Sequence, residues 1–191
     1  MLEEKIMERQ VKAIKKAGKG MRTVDFVKDG YHYFGNGFQI VKVAITKGDE
    51  NAEQFEVVRS IFDGVEKYKN SVSINLYDLW CVFKGLKSSN LCENGVALNF
   101  DGNGNLTIEN DQNKFIPKIK IRMDYEGDGT KYNVLLFVNH IYDILNVLIS
   151  LGGERNIVKM FFDPSKDLSP VLFCGSGVND YEVVQPVMRK F

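Results

Sequence analysis

KYNVLLFVNHIYDILNVLISLGG (131–153), NIVKMFF (156–162), DLSPVLFCG (167–175) and YEVVQPVM (181–188) make up most of the last third of the chain. An apolar run leads into a segment with apolar residues at 141, 144, 145 and 148, the period of an amphipathic helix. Three short β-rich runs follow, separated by turn residues. The order is strand, helix, strand, strand, strand.

Working outward, the same order recurs upstream. Ser71 opens a short strand and Asn75 is a candidate N-cap. Leu76, Leu79, Trp80, Phe83 and Leu86 then recur at i, i+3, i+4, i+7 and i+10, a helix facing a core. Strands are expected at Gly95–Phe100, Leu106–Asn110 and Phe115–Met123. Nearer the start, Glu3–Gly18 predicts a helix with Met7, Val11 and Ile14 on one face and Lys5, Arg9, Lys12 and Lys16 on another. Gly18-Lys19-Gly20 ends it, and strands are expected at Arg22–Lys28, Tyr31–Phe34 and Phe38–Thr46, the first two joined at Asp29-Gly30. Lys47–Asn51 is the most polar connection, and Gln54–Asn70 is expected to be irregular and partly extended. Three helix-plus-three-strand units of about 60 residues thus follow one another, an α+β arrangement with an internal repeat.

Composition sets bounds without selecting a function. A chain of 191 residues buries roughly 70% of its unfolded surface, enough for one large or two small domains. Twenty-five Lys plus Arg balance 25 Asp plus Glu, so no overall basic excess points to nucleic acid. No leader pattern and no apolar run of membrane-spanning length is present, so a cytoplasmic protein is expected, with no membrane partner. Cys81, Cys92 and Cys174 form no CxxC pair and are expected to be buried free thiols.

Motifs that could carry chemistry do not hold up against their spacing. Asp101-Gly-Asn-Gly-Asn105 imitates the start of a calcium loop, but Leu106 and Gln112 stand where the loop needs a glycine and a bidentate glutamate, so a tight hairpin turn is expected. His32 and His140 have no Cys or carboxylate at ligand spacing. Gly175-Ser176-Gly177 follows a strand and leads towards another strand, which fits neither a phosphate loop nor a nucleophile elbow. No enzyme activity, metal or cofactor is expected.

Four pieces stand in a fixed order: Tyr125-Glu126-Gly127 before an apolar strand, Tyr142-Asp143-Ile144-Leu145-Asn146-Val147-Leu148, Leu168-Ser169-Pro170-Val171-Leu172, and Val183-Val184-Gln185-Pro186-Val187. Together they resemble the C-terminal domain of the bacterial DNA polymerase III beta subunit, the sliding clamp. In that family two units make one domain, with sheets outside and helices on one, DNA-facing side. The resemblance implies a clamp-like domain at 55–191 and half of another at 1–54. Ile61-Phe62-Asp63 to Lys69-Asn70 resembles the passage between clamp domains, with Tyr68 where the family has proline. A beta protomer carries three full domains, whereas this chain has three units. A lone three-stranded sheet leaves an open edge, so self-association into a homo-oligomer through the first unit is expected.

The resemblance implies a processivity factor that associates non-specifically with duplex DNA and tethers DNA polymerase or repair proteins. The DNA-binding candidates are Lys5, Arg9, Lys12, Lys16, Lys84 and Lys87, set against the plain alternative of solvated helix faces. The third helix offers His140, Asp143 and Asn146 with no Lys or Arg. In the family, a cleft for short apolar peptides is lined by the C-terminal strand and tail. The matching positions are Ser169, Pro170, Val183, Val184, Pro186, Val187 and Met188, with Gln185 where the family has Met; the alternative is simply the last strand of a sheet. A different functional class stays open: a non-encircling protein-interaction module or clamp regulator built on the same fold.

Overall fold

The computed structural model describes residues 5, 8, 24–36, 39–45, 55–89, 95–109, 118–153, 156–166, 169–176 and 180–185. Strands β1 (Val24–Lys28), β2 (Tyr31–Asn36) and β3 (Gln39–Ala44) form an antiparallel meander. Its first hairpin turns at Asp29 and Gly30, whose φ angles of 51° and 78° give the doubly left-handed turn that matches strand twist. Helix α1 (Phe55–Val65) follows, then β4 (Asn70–Asn75), α2 (Leu76–Ser88), β5 (Val96–Phe100), β6 (Asn105–Glu109), β7 (Ile119–Arg122) and β8 (Asp124–Glu126). The last part comprises β9 (Tyr132–Leu136), α3 (Val138–Gly152), β10 (Ile157–Phe162), β11 (Val171–Ser176) and β12 (Asp180–Gln185).

The strands form two sheets, one of eight strands in the order β1-β2-β3-β12-β11-β10-β4-β8 and one of four in the order β7-β6-β5-β9. Each of the two later units lends its first strand to the other's sheet: β4 pairs with β10, and β9 pairs with β5. This exchange ties the two units into one body. Between the sheets and beneath α2 and α3 lies the main core, where Phe162 stacks with Tyr132 at 4.5 Å and with Phe100 at 5.1 Å between ring centroids. The α+β architecture of repeated helix-plus-antiparallel-strand units, read from the sequence, is the observed one.

The first unit's strands do not stand alone. β3 pairs antiparallel with β12, Val41 opposite Val183 and Ile40 opposite Val184, so the larger sheet runs from the first unit into the last. The edge expected to be open at β3 is therefore closed within the chain. Alternation along the strands sends Val41, Val43, Phe173 and Val183 into the main core, and Leu172 and Val184 to the opposite, outer face.

That outer face carries α1, which corrects the expectation of an irregular segment over Gln54–Asn70. Phe55, Val58, Phe62 and Val65, at i, i+3, i+7 and i+10, are all buried, while Glu56, Arg59 and Asp63 face solvent. They pack on Val24, Phe26, Tyr33, Leu172 and Val184 as a second, smaller core. Burying each such side chain is worth about 1.5–3 kcal/mol relative to leaving it exposed, enough to fix a helix of this length on a sheet.

Smaller differences concern edges and thiols. Tyr125 and Glu126, for which no strand was expected, lie in a short strand, β8, against β4. Cys81 is exposed on α2, contrary to the expectation of buried thiols, because it sits at the position opposite Phe83 and Leu79 on the helix; Cys174 is half-buried, and Cys92 lies outside the described residues. Asp101 does close a hairpin turn: its Oδ1 accepts from the amides of Asn103 at 2.8 Å and Asn105 at 3.0 Å. The expected first helix lies outside the described residues except at Lys5 and Glu8, both helical and exposed.

Candidate functional site

Two surfaces gather the side chains that can recognise another molecule: the paired faces of α2 and α3, and the outer face of the eight-stranded sheet. α2 starts where the sequence places its cap, with Asn75 Oδ1 accepting from the amides of Tyr77 at 3.1 Å and Asp78 at 3.2 Å. Leu76, Leu79, Phe83 and Leu86 are buried beneath it, as are Ile141, Ile144, Leu145 and Leu148 beneath α3. With those rows turned inward, Tyr77, Trp80 and Tyr142 come to the outer side of the pair.

Trp80 crosses from α2 to α3. Its Nε1 donates to Asn146 Oδ1 at 2.9 Å, and Asn146 Nδ2 donates to the Tyr142 carbonyl at 2.8 Å, which fixes the indole plane. Tyr77 and Tyr142 flank it at centroid separations of 6.0 and 6.4 Å with interplanar angles of 28° and 22°. Lys84 Nζ stands 4.4 Å from the Trp80 centroid, and Lys87 Nζ 4.4 Å from that of Tyr142 and 3.5 Å from Asp143 Oδ1. Burial pulls the His140 imidazole below its ordinary pKa against the opposing pull of Asp143, so it adds no charge to this face at neutral pH.

Of the six DNA-binding candidates, Lys84 and Lys87 therefore lie together on α2, and each ammonium rests over an aromatic ring. Lys5 is exposed on a helical residue; Arg9, Lys12 and Lys16 lie outside the described residues. The aromatic row was hidden in the sequence because Trp80 falls in the apolar helical pattern and counts as core. Only Tyr77 three positions earlier, on an otherwise polar side, signals that the row reaches the surface.

On the outer sheet face, Lys42 projects from β3 beside the end of α1. Its Nζ lies 3.2 and 3.1 Å from the two carboxylate oxygens of Glu182 and 3.7 Å from Glu66, with the Tyr31 ring at 4.8 Å and the Phe62 ring at 5.4 Å. Burial works to lower the Lys42 pKa, but the Glu182 carboxylate outweighs it and the net shift is upward. Burial pushes the neighbouring Cys174 thiol up to about 12, with Glu182 adding to the effect. Lys42, Glu182 and Cys174 border a depression of about 470 Å³, which Tyr31, Phe161 and Tyr181 also line.

The peptide-cleft candidates divide between faces. Val183 is fully buried in the main core, and Val184 is buried under α1. Ser169 is buried and Pro170 half-buried at the start of β11; Pro186, Val187 and Met188 lie outside the described residues. What sequence reasoning missed is the cover: α1 occupies the face on which Val184 opens.

The described residues assemble no catalytic group. No three His, Cys, Asp or Glu side chains among them gather where a metal could sit. His32 Nε2 is engaged by Asp25 Oδ1 at 2.9 Å, and Cys174 is held as a neutral thiol. Gly175 lies inside β11 against the Tyr181 ring, which leaves no room there for a phosphate loop. No described helix is long and apolar enough to cross a membrane.

No protein-family model and no curated protein matches the sequence. Solved structures do match the fold. A DNA polymerase III beta-subunit sliding clamp from Pseudomonas aeruginosa is similar at 17% identity over 84% of this chain and 42% of that one, with a TM-score of 0.52. The beta subunit from Thermotoga maritima is similar at 13% identity over 84% of this chain and 42% of that one, with a TM-score of 0.54. The proliferating cellular nuclear antigen of Entamoeba histolytica is similar at 8% identity over 96% of this chain and 95% of that one, with a TM-score of 0.63. The chain spans less than half the length of the bacterial clamps it matches. Exchanged strands, sheets on one side and a helix pair on the other make this the sliding-clamp fold.

Proposed function

We propose that this chain, which has the sliding-clamp fold, is a protein-interaction module that does not encircle DNA on its own and that receives partners on the outer face of its eight-stranded sheet. The observation that carries the reading is α1. An amphipathic helix already lays Phe55, Val58, Phe62 and Val65 on that face, over Leu172 and Val184, so the surface accepts apolar side chains presented at helical spacing. Val184, with Ser169, Pro170 and the stretch Pro186-Val187-Met188 beyond it, is the edge a short apolar peptide from a DNA polymerase or repair protein would use. Such a peptide competes with α1 for Val184, whereas Val183 supports the strand from the core side.

Selection of a displayed random peptide library against the chain tests this. Short sequences with two or three apolar anchors should emerge, and they should bind several-fold tighter when Val58→Ser loosens α1. Selected peptides that bind the variant no better, or no peptide at all, would count against the reading.

A second reading is favoured by the nearly full-length match to the Entamoeba protein and by β1, β7, β8 and β9 standing at sheet edges among the described residues. Under it, chains associate edge to edge into a homo-oligomeric processivity ring, and Lys5, Arg9, Lys12, Lys16, Lys84 and Lys87 face duplex DNA. Charge reversal at Lys12 and Lys16 should then abolish duplex association; unchanged binding would remove this reading.

A further inference from the structure

We infer that the groove beyond the end of α1, on the same outer sheet face, holds a partner segment that sets an Arg or Lys beside one large apolar side chain. This rests on the reading of that face as a docking surface, and it names what docks there. The groove is the depression of about 470 Å³ bordered by Lys42, Glu182 and Cys174, a size usual for a ligand cleft. No residue of α1 lines it, nor do Ser169, Pro170, Val183 or Val184, the described positions matched to the family's peptide cleft. It can be filled while α1 stays in place.

Strand register builds the groove. Lys42, Glu182, Cys174 and Lys159 stand in one row across β3, β12, β11 and β10, with their side chains on the outer face. Cys174 is the smallest of the four, so the surface dips there between taller neighbours. The wall on β10 is apolar on both sides of Lys159: Ile157 is 63% exposed and Phe161 half-buried. Cover by an incoming apolar side chain takes that isoleucine out of water, which is favourable. Tyr31 forms the wall across the groove.

The charge around the groove decides what else the partner must carry. Lys42 Nζ holds both oxygens of Glu182, at 3.2 and 3.1 Å, and lies 3.7 Å from Glu66, so two carboxylates share one ammonium. Asp180, exposed at the start of β12, makes no ion pair among the described residues. Lys159 is turned away to Glu126, at 2.9 Å. α1 ends beside Glu66 with no basic residue in its last turn, so the negative end of the helix dipole adds to the same sign. An Arg or Lys entering above Cys174 meets Glu182, Asp180 and Glu66 as opposite charges, whereas an acidic segment meets them as like charges.

The full chain is used to select from a displayed random peptide library, and the selected peptides are measured by fluorescence anisotropy. Peptides with Arg or Lys close to a Leu, Ile, Met or Phe should be enriched, and salt should weaken their binding. Ile157→Ser should weaken it about five- to tenfold while the circular dichroism spectrum stays unchanged. Glu66→Gln with Asp180→Asn should weaken it about three- to tenfold, with Lys42 still held by Glu182. Loosening α1 by Val58→Ser should not tighten these peptides. No enrichment of Arg or Lys, or binding that ignores Ile157 and the two carboxylates, overturns the inference. Peptides that tighten in Val58→Ser but ignore Ile157→Ser remove the groove alone and keep docking at Val184; no peptide at all removes both.

Discussion

Asn156 Nδ2 donates to the Tyr181 hydroxyl at 3.0 Å, and through its carbonyl Asn156 also accepts from the Leu76 amide at 3.0 Å. One residue thus joins the start of α2, the segment after α3 and the start of strand β12. Tyr181 is 2% exposed, and Gly152 and Gly175 make the space for it: a Cβ on either would run into the Tyr181 hydroxyl. Tyr181→Phe removes this part-buried hydrogen bond and should cost about 1 kcal/mol in urea unfolding. Gly175→Ala overfills the same space and should cost about 1–3 kcal/mol. A neutral result for both would show that the junction is not packed as described.

Helix α1 should hold the outer core closed. Phe62 is 2% exposed, and its ring lies 6.0 Å from that of Tyr33 in an edge-on arrangement. Phe62→Ala should destabilise the chain by about 3–5 kcal/mol, whereas Arg59→Ala, on the solvent side of the same helix, should change stability by less than about 0.5 kcal/mol. Equal effects would mean that α1 does not dock through its apolar face.

Lys42 gives the outer face a pH dependence whose sign is fixed. Its folded pKa is raised, mainly because the Glu182 carboxylate outweighs burial. The contribution is fully present below the unfolded lysine value of about 10.4 and is lost as pH rises through the folded value. Lys42→Met should therefore cost about 1–3 kcal/mol at pH 8, and the gap to the parent chain should narrow at pH 11. A gap that widens with pH contradicts the assignment.

The thiols should separate by reactivity. Cys81 is exposed, while burial holds Cys174 at about 12. In a Cys92→Ser chain, maleimide at pH 7.5 should label one thiol, Cys81, and reach Cys174 only in urea. Since the Cys174 pKa is raised on folding, its neutral form favours the folded state up to the unfolded value of about 8.5, and that advantage fades as pH rises towards 12. Rapid double labelling of the folded chain would place Cys174 at the surface.

Much of this fold could be read from apolar period and turn residues. Asn75, Asp29-Gly30 and the 141, 144, 145, 148 pattern mark their elements locally, because caps, turns and amphipathic faces are short-range effects. α1 was legible too: Phe55, Val58, Phe62 and Val65 keep a helical period, in a stretch that also resembles an inter-domain passage. Sheet order is a different matter. That β3 pairs with β12, some 140 residues on, and that Val184 ends up beneath α1, depend on long-range packing that no window of sequence contains. The aromatic row was missed for a related reason, since only the placing of α3 beside α2 brings Tyr142 next to Trp80.

The most direct test of a non-encircling interaction module is the molar mass in solution by light scattering over a range of concentration and salt, followed by retention on circular DNA. A monomer, or a dimer too small to enclose a duplex, with no retention that depends on the DNA being circular, is the predicted result. A stable assembly of about four chains that stays on a closed circle and runs off once the circle is cut would contradict it and establish a ring.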